Sequence, residues 1–147
     1  MSKGPVIRRR AEVTVEALNA KGRGYLPGLM GVEVLEVSDA GIKGRIKIRP
    51  ELLAPNGYLH AATVIALADT MAGYGTVAFL PQDARLFTTI ELKSNFLGTA
   101  REGIIECTAS PVHLGRLTQV WDAVVTDGDA RKIAVFRCTQ MILYAEK

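Results

Sequence analysis

Between Arg49 and Arg85 the chain carries neither lysine nor arginine, and inside that interval the stretch from Leu59 to about Phe79 is dense in Ala, Leu, Ile and Met. Ala62, Ile65, Ala66, Asp69, Ala72, Gly73 and Thr76 recur there at helical spacing and define one stripe. This predicts a single long helix, stopped by Pro81, Gln82 and Asp83. Its length would suit a bilayer, but Asp69 lies near its centre and a carboxylate at that depth is costly in lipid. No membrane partner is expected. A helix apolar on almost every side must instead be covered by a sheet curled around it, by a second subunit, or by both.

The flanking sequence supplies the sheet. Val32 to Val37 and Ile42 to Arg49 alternate around the turn Asp39-Ala40-Gly41, so they read as a hairpin. In its second strand Ile42, Gly44, Ile46 and Ile48 share the buried face, and Lys43, Arg45, Lys47 and Arg49 share a basic one that is expected to face water. Beyond the helix come four more strand candidates, Leu86 to Phe96, Gly103 to His113, Leu117 to Thr126 and Arg131 to Tyr144, with Asp127-Gly128-Asp129 as a hairpin turn. With a short helix near Glu12 to Asn19, the order predicts an α+β fold, an antiparallel sheet wrapped around one central helix. At 147 residues this is one domain, 1–147, with 1–10 expected as a flexible tail.

Asp69 is the candidate reactive group. No cation neighbours it in sequence, and a carboxylate desolvated without a partner has a raised pKa, a cost that is tolerated where it serves chemistry. Asn56-Gly57-Tyr58-Leu59-His60 leads into the helix, whose first amides, near Ala61 and Ala62, have no intrahelical acceptor and are suited to an oxyanion.

The segment Gly57-Tyr58-Leu59-His60-Ala61-Ala62, then Leu67-Ala68-Asp69-Thr70, then Thr88-Thr89-Ile90-Glu91-Leu92-Lys93-Ser94-Asn95-Phe96-Leu97, resembles the 4-hydroxybenzoyl-CoA and phenylacetyl-CoA thioesterase branch of the hotdog superfamily. The likeness runs from about Gly31 to Leu143. It implies hydrolysis of an aryl- or medium-chain acyl-CoA, a homodimer often paired into a homotetramer, and sites at the subunit interface. Asp69 would be nucleophile or general base, the Ala61 amide an oxyanion donor across the interface, and Thr89 an orienter of water. Asn56 and His60 complete the candidate catalytic set, His60 as a residue that caps the helix start and positions the loop, and Gly57, Ala62, Gly73 and Thr88 are candidate substrate contacts. Two departures stand out: Ala61-Ala62 replaces the family's Gly-Gly, which predicts a tighter pocket, and Ala54 stands where relatives place Asn or Gln.

Coenzyme A belongs to the substrate, so no separate cofactor is expected. His60 and His113 are too far apart, with no acid or Cys at ligand spacing, to suggest a metal. Arg116, with His113, Arg101 and Lys93, could reach a ligand phosphate. The net charge of +3 lacks the clustered basicity of a nucleic-acid binder. Cys107 and Cys138 lie in alternating apolar runs, as buried thiols of a reducing compartment do, and a cytoplasmic location is expected. Trp121 and Phe136 read as packing residues, and Gly73 and Gly75 call for close approach by a partner helix or ligand. Two other functions remain open at this level: an acyl-CoA-binding protein without turnover, and a hydratase, for which His60 is poorly spaced from Asp69.

Overall fold

In the computed structural model, which describes residues 6–145, six strands form one antiparallel sheet in the order β1-β2-β4-β5-β6-β3. They are β1 (Glu33–Ser38), β2 (Gly41–Lys47), β3 (Ala84–Phe96), β4 (Ile104–Leu114), β5 (Thr118–Thr126) and β6 (Lys132–Tyr144). The long helix, α3 (Ala61–Ala78), lies in the concavity and touches every strand. The α+β reading, a sheet wrapped around one helix, is what the chain builds.

Phasing of the long helix differs from the expected stripe. The sheet-facing side is Val64, Leu67, Ala68, Met71, Ala72, Gly75 and Thr76, all buried, whereas Ile65, Ala66, Asp69 and Thr70 stand half-buried on its flank. A helix apolar all round offers two credible stripes, and only the strands opposite decide between them. Gly44 of β2 makes room for Met71, whose sulfur occupies the place a Cβ there would take.

Gly75 has a neighbour that was not foreseen. A Cβ at this position would sit 2.6 Å from two ring atoms of Trp121, a fully buried residue of β5 that also packs on Phe79 with ring centroids 5.8 Å apart. An indole, rather than a partner helix or ligand, explains the glycine. Gly75→Ala gains about 1 kcal/mol in helix propensity. Overpacking against an immobile ring outweighs it, for a net loss of about 2 kcal/mol and a melting point lower by about 5 °C, readable by calorimetry.

Two short elements escaped the sequence pattern, α2 (Leu26–Met30) and a 3-10 turn at Pro50–Leu52, both too brief for a periodic signal. The first helix, α1, runs Val15–Gly22, capped by the Thr14 hydroxyl, three residues later than expected. The expected tail is anchored at its end: Arg10 donates through its backbone to Ala78 O and through its guanidinium to Leu80 O and Pro81 O, capping the exit of α3, while residues 1–5 lie outside the described residues. The basic face of β2 is largely paired across the strand, Lys43 with Glu36 at 3.2 Å and Arg45 with Glu33 at 2.7 Å, and Arg49 clamps the carbonyls of Leu29 and Met30.

Candidate active site

The entry to α3 is rigidly built. Ala54 N donates to Tyr58 O, the Asn56 side chain accepts from Tyr58 N at 3.1 Å, and Gly57 takes a φ of +84°, a conformation that suits glycine. Asn56 and Gly57 therefore shape the turn that leads into α3, with the Asn56 Nδ2 left exposed. His60 N and the Thr63 hydroxyl both donate to Leu52 O, fixing the first turn on the preceding segment. His60 is the N-cap: its Nδ1 accepts from Ala62 N at 2.9 Å, which places the proton of the neutral ring on Nε2. The expected pair of free amides thus reduces to one. Ala62 N is taken, and Ala61 N alone has no acceptor among the described residues. Both alanines are exposed, so this helix end opens outward.

Asp69 lies eight residues further on, about 12 Å along the axis at the usual helical rise. Burial pushes its carboxyl above the ordinary range, and Thr89 opposes this weakly from 3.5 Å. It forms no ion pair among the described residues. The carboxylate borders an open pocket of about 200 Å³ whose other walls are Thr70, Gly73, Tyr74, Val77, Phe87 and Thr89, with Lys21 and Pro27 from the N-terminal helices. Gly73 keeps this pocket open: a Cβ there would lie 3.1 Å from the Phe87 ring. Of the candidates, Asp69, Thr89 and Gly73 are brought together.

The others are not. Thr88 is exposed on the opposite face of β3 from Thr89, as strand alternation requires. Arg116 lies past the far end of α3, paired with Asp83 at 2.9 Å and stacked on Tyr144 at 4.9 Å. Tyr74, Phe87 and Lys21 were missed because only the tertiary fold assembles them. Gln140 was missed too: it is fully buried on β6, and the Thr89 hydroxyl lies 2.8 Å from its amide. Its signal was present, a polar residue in the inward phase of an apolar alternating strand.

Both thiols are buried and pushed up to about 12, by desolvation first in each case. At pH 8 only about one thiol in ten thousand is ionised. The native protein is expected to leave a thiol reagent colourless over the course of an assay, and both cysteines to react once it is unfolded.

A half-buried acid on a central helix, a free amide at that helix's start and a sheet curled around it define the hotdog thioesterase arrangement. The model of the family described as the thioesterase superfamily matches residues 56–134, and the chain belongs to that family; it is a thioester hydrolase. Among similar proteins, the 1,4-dihydroxy-2-naphthoyl-CoA hydrolase of Escherichia coli is 28% identical over 137 residues, covering 91% of this chain and 98% of its own. A protein of the same description from Listeria monocytogenes is 28% identical over 110 residues, covering 75% and 89%. In fold, a mutant thioesterase from Pseudomonas aeruginosa superposes with a TM-score of 0.89 at 23% identity, covering 95% of this chain and all of the other.

Proposed function

We propose that the chain hydrolyses aryl- or medium-chain acyl-CoA thioesters, with Asp69 as nucleophile or general base and the Ala61 amide as oxyanion donor. The observation that carries this reading is the unpaired, half-buried Asp69 with its raised pKa at the edge of a pocket. Some relatives named as 1,4-dihydroxy-2-naphthoyl-CoA hydrolases favour an aromatic acyl group, and Phe87 beside Gly73 offers a flat wall for one.

One protomer cannot complete the reaction. A carbonyl oxygen bound at Ala61 N must lie about 3 Å from it, whereas Asp69 of the same chain is about 12 Å away along the helix. A second copy bringing its own α3 alongside would supply the missing donor. The uncovered side of the fold suits such a copy: Leu86, Ile90, Leu92 and Phe96 of edge strand β3 are exposed apolar residues on an edge that nothing pairs in the single chain. The assembly we infer is a homodimer, or two such dimers in a tetramer, acting in the cytoplasm without a separate cofactor.

The test is thiol release from a panel of aroyl- and medium-chain acyl-CoAs. Turnover of an aroyl-CoA supports the reading, and no release from any member sinks it. If the same thioesters raise the melting temperature without release, the chain binds acyl-CoA and does not turn it over, an outcome that the methyls of Ala61 and Ala62 at the site's entrance would help explain.

A further inference from the structure

Two glutamines are fully buried in the strands behind α3. Gln119 ties the fold together, since its Nε2 donates to Phe79 O at the end of α3 and its Oε1 accepts from the Trp121 indole. Gln140 makes no such tie. It projects inward from β6 between Cys138 and Ile142, and among the described residues its amide meets only the Thr89 hydroxyl, at 2.8 Å, and the Cys138 sulfur, at 3.4 Å. Burying an amide there is a cost that apolar neighbours do not repay.

The Thr89 hydroxyl carries one proton and faces two acceptors, Gln140 Oε1 at 2.8 Å and Asp69 Oδ1 at 3.5 Å. With the amide oxygen toward Thr89, that proton goes to Gln140, and an ionised Asp69 meets a lone pair. Turning the amide by half a rotation exchanges two atoms of nearly equal size. Nε2 then donates to Thr89 Oγ1, Oε1 accepts from the Cys138 thiol, and the hydroxyl proton is left for Asp69. Each donor in the row faces an acceptor, and each bond polarises the next.

We propose that Gln140 is a positioning residue for Asp69: its amide, seated against Cys138, directs the Thr89 proton onto the ionised carboxylate and turns over when that carboxylate takes up a proton. This rests on Asp69 being the reacting acid. The amide thus stabilises the form of Asp69 that can act as base, which a buried carboxylate otherwise resists. The other ionisable groups around the acid are Lys21 from α1 and Tyr74 from α3 at the same pocket, Cys138 from β6, and Glu91 from β3, which acts on Cys138. None of them donates a hydrogen bond to the carboxylate.

A double-mutant cycle tests this. The parent, Thr89→Val, Gln140→Leu and the pair together are assayed on one aroyl-CoA between about pH 4 and pH 9, with melting temperatures as a control. Gln140→Leu leaves the Thr89 proton facing Asp69 alone but strips the donor that holds and polarises the hydroxyl, so it is expected to lower kcat several-fold, leave KM within about twofold, and move the acid limb of kcat/KM to higher pH. Added to Thr89→Val, it should change neither. An unmoved acid limb, or the same loss in both backgrounds, overturns the proposal. Should Gln140→Leu not fold, Gln140→Met keeps the length and removes the N–H donor without adding a charge, and the acid limb must still move up. Asp69→Asn separates the two readings: if it is as active as the parent, the reacting acid is misassigned, whereas if it is inactive and the Gln140 variants match the parent, only the positioning role fails. Where no thioester is turned over, the 13C titration of the Asp69 carboxyl gives the same answer. Its midpoint should rise in Gln140→Leu, and an unchanged midpoint refutes the role.

Discussion

Asp69→Asn is expected to lower thioester turnover by about three orders of magnitude and, in the same protein, to raise the melting temperature at neutral pH. The carboxamide matches the carboxylate in shape and can still accept from Thr89, so the pocket and KM should hold. It can neither take a proton from water nor attack a carbonyl, so kcat falls. Residual rate would come from the helix-start amide and from orientation alone.

The stability gain follows from the direction of the pKa shift. Burial is its leading cause and raises it, so the folded protein holds the Asp69 proton more tightly than the unfolded chain does. Stability linked to this group is therefore full below the ordinary carboxylate range and is lost as pH rises through the folded value. Above that point the parent carries a half-buried charge without a cation, and the Asn variant does not. Melting curves should coincide in acid and separate toward neutral pH, with the variant higher. A variant as active as the parent, or less stable at neutral pH, would contradict the role given to this side chain.

What the sequence disclosed, and what it withheld, follows the range of the interactions. Strand alternation and the breaker Pro81 are local, so all six strands and the long helix were legible within a few residues. The stripe through Asp69 was misphased because α3 is apolar on both candidate faces, and its true orientation is set by Gly44 and Trp121 on strands distant in sequence. Asp69 itself was legible as the lone acid of that segment. Its surroundings were not, since Thr89 and Gln140 are 51 positions apart and meet only through the β3–β6 register. His60 was legible as a helix cap, but that its ring would occupy the Ala62 amide depends on a rotamer no spacing rule contains.

Ala61→Pro should lose two to three orders of magnitude in kcat with little loss of stability, because proline removes one N–H and almost nothing else at this position. Ala61 is the first residue of α3, where the fixed φ of proline suits a helix and the missing donor breaks no intrahelical bond. The residue before a proline must be extended, and His60 already is, at φ −67° and ψ 135°. The substitution therefore isolates the amide as a chemical group. Combined with Asp69→Asn it also reports where the site lies. If each site takes its acid from one subunit and its amide from the other, mixing the two inactive proteins and allowing subunits to exchange creates heterodimers with one intact site. Activity should return to about a quarter of the parent's at equal mixing, since about half the dimers are then mixed and each has one working site of two. A site built within a single chain would give no recovery at any ratio once exchange is verified by mass. Recovery would join the free end of one α3 to the Asp69 of its neighbour, and so place each site at the boundary between two subunits.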